Sequence, residues 1–198
     1  WDTAQNVTVT GVDDDPIDGD QTSTLTISIL DVVSDDDFDN VPDRTLSVTT
    51  TDDDVAGFTI AETNGSTGVT ESGSTDLFTV VLNAQPTTDV VLTISSGDTG
   101  EATVTSSLTF TSANWDTAQD VTVTGVDDDI VDGSVTSTIT VAINDGSSDD
   151  NFDAVADQTV SVTTTDDDVA GFTIAETEGS TGVTEAGSTD LFLSLIHI

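Results

Sequence analysis

Cysteine, methionine, tyrosine and lysine are absent from this 198-residue chain, and arginine and histidine occur once each, at Arg44 and His197. Without cysteine there is no disulfide, no thiol chemistry and no thiolate-ligated zinc or iron–sulfur cluster. A Ser–His–Asp or Cys–His catalytic group is excluded as well, because the single histidine falls in a terminal hexapeptide set aside below. Against one Arg stand 39 Asp and Glu, for a formal net charge of -38. Phosphate binding relies on Lys and Arg, so nucleic acids and anionic membrane surfaces are poor partners. No apolar run approaches the roughly 20 residues of a membrane helix, which excludes direct insertion by this stretch.

So much acid could mean a solvated, disordered chain, but 34% of residues are hydrophobic and the mean hydropathy is -0.03. That is apolar enough to fold. The acids are 33 Asp and 6 Glu, good helix formers are scarce, and Thr, Val, Ile and Ser fill the intervals between Asp clusters. Such a composition favours strands joined by Asp- and Gly-rich turns.

An internal repeat organises the chain. Trp1-Asp2-Thr3-Ala4-Gln5 returns as Trp115-Asp116-Thr117-Ala118-Gln119, and Asp52-Asp53-Asp54 returns as Asp166-Asp167-Asp168. Both offsets are 114 residues (115 − 1 and 166 − 52), and residues 1–78 align with 115–192 without a gap at 60 identities. A period of this length is too long for a solenoid coil and suits a complete small domain. Thr-Thr-Thr-Asp-Asp-Asp closes one unit and Val-Ala-Gly-Phe-Thr-Ile-Ala-Glu opens the next. The expected organisation is the C-terminal half of one repeat over 1–54, a whole repeat over 55–168, and the opening strands of a third over 169–192. Trp1 stands inside a repeated motif, which reads as the edge of a fragment. Residues 193–198, Leu-Ser-Leu-Ile-His-Ile, break the repeat where Phe78 continues as Thr79-Val80-Val81-Leu82. They resemble a translated sequencing adapter and are left out of the functional reading.

Within 55–168, period-two alternation recurs between turn signals. Leu77–Leu82, Val90–Ile94, Val121–Val123, Ile139–Ile143 and Val160–Val162 mark central strands, and Phe58–Ile60, Val69, Val104 and Leu108–Phe110 mark shorter ones. Seven to nine strands at roughly 10-residue spacing, with no amphipathic helix, predict an all-β fold of tandem Ig-like antiparallel β-sandwiches. Ser112 to Gln119 is expected to form one short helical turn. Trp115 then caps the core, or alternatively offers a sugar-stacking platform.

The acids are clustered rather than spread. Asp127, Asp128, Asp129 and Asp132 follow the strand ending at Gly125, and Asp166, Asp167 and Asp168 follow the strand ending at Thr164. If those strands run the same way, both clusters reach one pole of the sandwich, where Glu71, Asp98 and Glu101 could join them. At ~5 Å and an effective dielectric of about 20, each carboxylate pair repels by on the order of 3 kcal/mol. Protonation or a cation must relieve this. Oxygen donors without His or Cys select a hard ion, and a flexible Asp-rich cage suits Ca²⁺ better than Mg²⁺. A salt-adapted surface would instead spread acids along the strand faces, which here carry mostly Thr and Ser.

With these residues in view, the unit resembles a Calx-beta domain of the kind repeated in bacterial surface proteins and found in sodium–calcium exchangers. The matching features are Glu71-Ser72-Gly73, Leu108-Thr109-Phe110 before a loop, Val121-Thr122-Val123 running into Asp127-Asp128-Asp129, and the closing Asp166-Asp167-Asp168. The resemblance implies calcium held at one end of the sandwich by Glu71, Asp98, Asp127, Asp128, Asp129, Asp132, Asp166, Asp167 and Asp168. Asp13, Asp14, Asp15, Asp18, Asp52, Asp53 and Asp54 form the equivalent half-site of the first unit. Ile130 and Val131 depart from the pattern, standing where exchanger-type domains place further Glu.

Asp18-Gly19-Asp20 lacks EF-hand spacing. The sequons at Asn6 and Asn64 read as chance, since their aligned residues are Asp120 and Glu178. A two-carboxylate glycosidase is formally open, but nothing singles out one pair among 39 acids, and no enzyme is expected. The expected role is a calcium-binding spacer repeat of a large extracellular adhesin or cell-surface protein. Its partners are the neighbouring repeats, with glycan or protein ligands engaged by other regions. The alternative is a repeat that itself binds a surface glycan.

Overall fold

A computed structural model describes residues 2–176 and 179–197. Trp1, which opens the first copy of the repeated motif, and Glu178, aligned with Asn64, lie outside the described residues.

Thirteen strands are described. Gln21–Ile27 (β1) and Arg44–Thr50 (β2) form an antiparallel hairpin. The middle of the chain supplies Phe58–Glu62 (β3), Thr67–Thr70 (β4), Thr75–Leu82 (β5), Val90–Ser96 (β6), Ala102–Val104 (β7), Ser107–Phe110 (β8), Gln119–Gly125 (β9), Val135–Ile143 (β10) and Gln158–Thr165 (β11). Gly171–Glu176 (β12) and Phe192–His197 (β13) form a second hairpin. Strands β3 to β11 build a two-sheet sandwich, one sheet in the order β3-β5-β9-β7 and the other β4-β11-β10-β6-β8. These nine strands fall where alternation predicts them.

The alternation works because a strand sends successive side chains to opposite faces. Phe78, Val80 and Leu82 of β5 and Val121 and Val123 of β9 point inward from one sheet. Leu92, Ile94, Ile139, Val141, Val160 and Val162 meet them from the other, forming one buried cluster. The Val-Thr-Val sequence of β9, repeated outside the sandwich, is neither paired into a strand nor covered there. Val7 is 78% exposed, whereas Val121, its repeat counterpart, is 0% exposed.

Two features differ from the expected pattern. Among the described strands pairing is antiparallel except between β4 and β11, which run parallel from Val162↔Thr67 to Thr165↔Thr70. The chain crosses from the β3 sheet to the β4 sheet through a short 3-10 turn at Thr63–Gly65, so β3 and β4 keep one direction and β4 enters beside β11. Ser112–Gln119 is not helical. Asn114 N–H donates to Thr111 O (3.2 Å) and Thr117 N–H to Asn114 O (3.0 Å), giving successive turns. Trp115 is half-buried against the core beside them.

The repeat persists in the hydrogen-bond register. Gln21 pairs with Thr50 in the first hairpin, and Val135 with Thr164 in the sandwich, both displaced by the same 114 residues (135 − 21 and 164 − 50). Leu193–His197, adapter-like in sequence, lie in β13, where Phe172↔Ile196 repeats the Phe58↔Leu82 pairing.

Candidate metal centre

Strand direction decides which loops meet. Thr75 of β5 pairs with Thr124 of β9, and Thr165 of β11 pairs with Thr70 of β4, immediately before the β4–β5 turn. Strands β9 and β11 therefore end at the same pole. Ala102, the first residue of β7, pairs with Gly125, and Val135, the first of β10, pairs with Thr164, so Glu101 and the 126–134 loop arrive there too. Gly125 closes this pole. A Cβ on it would lie 2.1 Å from the Thr70 carbonyl oxygen, so only glycine lets β9 pass the end of β4.

Glu71, in the turn after β4, is 1% exposed, and its Oε2 accepts from Asp167 N–H at 3.4 Å. Asp166 accepts twice, from Asp168 N–H at 2.7 Å and from Gly133 N–H at 2.7 Å, which ties the triplet to the 126–134 loop. One carboxylate oxygen from each of Glu71, Asp166 and Asp168 lies within 4.8 Å of the others. Glu101 is 7% exposed at the mouth of β7; its carbonyl accepts from Val126 N–H (2.8 Å) and Thr164 Oγ1 (3.3 Å). Glu101 Oε2 and Asp168 Oδ2 are buried without a hydrogen-bond partner.

Burial and like charge act together on these acids. Burial, followed by the charges of Asp166, Asp128 and Asp132, raises the pKa of Glu71 despite the amide of Asp167. Burial also raises Glu101, with Asp132, Asp98, Asp128 and Asp166 adding to it. Asp168 is raised by burial and by Asp166, Asp129, Asp167 and Asp127.

The structure thus gathers Glu71, Asp166 and Asp168 most closely, with Asp127, Asp128, Asp129, Asp132 and Asp167 around them. Asp128 Oδ1 also accepts from Ile130 N–H at 2.7 Å. Asp98 is exposed and closes its own turn, accepting from Gly100 N–H at 3.0 Å. The more buried acid of that turn is Glu101, which the strand pattern places at this pole but which the family resemblance does not count among the ligands. Its signal was its position directly before the strand Ala102-Thr103-Val104.

The first unit reproduces part of this geometry. Asp52 accepts from Gly19 N–H (2.6 Å) and Asp54 N–H (2.9 Å), the counterparts of Gly133 and Asp168. Those amides lower the pKa of Asp52, whereas burial and the charges of Asp52, Asp53, Asp15 and Asp13 raise that of Asp54. Asp13, Asp14, Asp18, Asp52, Asp53 and Asp54 line an open groove of ≈ 760 Å³. Asp15 instead turns its backbone toward the sandwich, its carbonyl accepting from Gln85 N–H at 2.9 Å.

A donor set made of carboxylates, with two buried oxygens lacking partners, fits a hard divalent cation held by oxygen. Glu71, Asp166 and Asp168 are the residues that would hold it, with the buried Glu101 carboxylate close enough to feel Asp166, and an ion there would supply the missing positive charge.

The fold and the pole define a two-sheet β-sandwich carrying a carboxylate cluster. Solved structures similar to this chain include the apo-form Calx CBD1 domain, at 18% identity over 56% of this chain and 98% of that one, with a TM-score of 0.40. They also include CBD12 from CALX1.2 (13% identity, 70% and 68% covered, TM-score 0.40) and S-layer protein SbsC domains 4 and 5 (21%, 62% and 63%, 0.37). No family model and no curated protein sequence matches the chain. Among the described residues no helix is long and apolar enough to cross a membrane.

Proposed function

We propose that the chain is a stretch of calcium-binding spacer repeats from a large extracellular or cell-surface protein. The observation that carries this reading is the convergence of Glu71, Asp166 and Asp168 beside the unpartnered buried oxygens of Glu101 and Asp168. Burying such charges is costly unless they are paired, and the chain offers no Lys and one Arg to pair them. A calcium ion would do so while joining the two sheets. Glu71 and Asp166–Asp168 flank β4 and β11 of one sheet, and Glu101 and Asp127–Asp132 flank β7 and β9 of the other. Binding would therefore stiffen each repeat at the pole from which the chain leaves for the next. Only Val55, Ala56 and Gly57 separate the triplet Asp52-Asp53-Asp54 from the first residue of β3, so ions held there would also restrict the joint.

A repeat that binds glycan through Trp115 and the acidic loops together is less favoured. Trp115 lies in the loop before β9, at the pole opposite the acids, and its carbonyl accepts from Leu82 N–H at 3.1 Å. Calorimetric titration of the whole chain with calcium at fixed ionic strength tests the calcium reading. Saturable binding lost in Glu71→Gln with Glu101→Gln is expected; no binding heat at millimolar calcium would overturn it.

A further inference from the structure

The loop that carries the first unit's acids also touches the sandwich. Gln85 N–H donates to Asp15 O at 2.9 Å, Pro16 bridges Gln85 in parallel, and Asn151 Nδ2 donates to Ile17 O at 3.1 Å. Ile17 packs against the buried core cluster, and Pro16 and Ile17 are half-buried while Asp13, Asp14, Asp15 and Asp18 around them are exposed. Gln85 and Asn151 lie in the β5–β6 and β10–β11 connections, at the pole opposite Glu71. The acidic pole of one unit thus abuts the far pole of the next.

The 114-residue offset carries Pro16 and Ile17 onto Ile130 and Val131. These are two apolar residues in the most acidic loop of the sandwich, exposed by 60% and 41%, and the metal centre does not use their side chains. We propose that Ile130 and Val131 are a docking pair for the following copy of the repeat. They seat on the surface that in that copy corresponds to Gln85 and Asn151. The carbonyls of Asp129 and Val131 then accept the two hydrogen bonds that Asp15 and Ile17 accept here. One loop so combines two jobs, its Asp residues facing the cluster and its apolar tip setting the joint. The surface is selective as well: the first unit has Asp37 where the sandwich has Asn151, and a carboxylate cannot donate to the incoming carbonyl.

The absence of native cysteine allows paired spin labels to test this. In the full chain, labels at Thr24→Cys and Thr93→Cys span the existing contact. A narrow distance distribution is expected, broadened about twofold by Ile17→Asp and, more mildly, by Asn151→Asp. For the proposed contact, residues 1–192 are continued with a second copy of 79–168, which completes the third repeat, and labels are placed at Thr93→Cys and Thr173→Cys. Ile130→Asp with Val131→Asp should broaden that distribution by a similar factor. Equal widths with and without this double substitution would overturn the docking role. Measuring in calcium and in chelator separates the two readings: no calcium binding, with widths still set by Ile130 and Val131, would sink the calcium centre and leave the docking surface standing.

Discussion

Gly133 and Asp166 are joined across 33 intervening steps of chain by a 2.7 Å hydrogen bond from backbone N–H to carboxylate, and Gly19 makes the same bond to Asp52 at 2.6 Å. The β1–β2 hairpin forms this bond without a covering sheet. The link between the post-β9 loop and the closing triplet is therefore a property of the hairpin itself, whereas the carboxylate cluster also needs Glu71 from the turn after β4, beside β11.

Calcium should raise thermal stability. An ion that binds the native state alone adds RT ln(1 + [L]/Kd), about 2.7 kcal/mol at a hundredfold excess over Kd. Melts of the chain in millimolar calcium and in chelator, at matched ionic strength, should differ by several degrees. Coincident melts would remove the calcium centre.

Asp127→Asn with Asp167→Asn should weaken calcium binding while leaving the apo fold standing or slightly firmer, because removing like charges relieves repulsion. Glu101→Gln should do the same more strongly, since its carboxylate is buried and lacks a partner for Oε2. Calorimetry paired with denaturant unfolding in chelator reads both effects. Unchanged affinity in all these variants would make the loops solvated turns.

The pH dependence should invert with calcium. Glu71, Glu101 and Asp168 have pKa values raised in the fold, so the native state binds more protons than the unfolded chain between the unfolded and folded values. Their ionisation weakens the fold above that window, so without calcium stability should rise as pH falls through the raised folded values toward the ordinary carboxylate range. Asp149 acts oppositely. Burial would raise it, but bonds from Thr87, Thr88 and Asn151 hold it low, so its contribution is lost only at more acid pH. With calcium bound, protons compete for the same oxygens, and acidification should lower the melting temperature. Parallel pH profiles in the two buffers would contradict this.

Gly125→Ala should be the most damaging single-methyl change in the sandwich. Its Cβ would meet the Thr70 carbonyl at 2.1 Å and the Val69 side chain at 3.3 Å, forcing β9 from β4. A loss of about 3 kcal/mol, at the upper end of overpacking costs, is expected in chemical denaturation. Gly11→Ala, where the aligned glycine meets only Thr50 Cγ2 at 3.6 Å, should be nearly neutral and serves as the control.

Strand positions and the location of the acids were legible because they are local. Val121-Thr122-Val123 and Val160-Ser161-Val162 alternate with the two-residue period of the strand, and each runs directly into its Asp cluster, so both element and site could be read along the chain. Repetition added the unit length, since a gapless 114-residue offset needs no structure to be seen. What alternation does not encode is which strand lies beside which. The parallel entry of β4 next to β11, the turns at Ser112–Thr117, the burial of Glu101 in place of Asp98, and the seating of Pro16 and Ile17 on Gln85 and Asn151 all depend on residues distant in sequence. Asp98 and Glu101 share one turn and the same charge; only the packing of β7 against β9 sends one outward to close its own loop and the other inward, where desolvation and neighbouring carboxylates act on it. Local chemistry selects strands and turns, but the energy of a buried charge is set by everything that surrounds it in space, and that is decided by the tertiary fold.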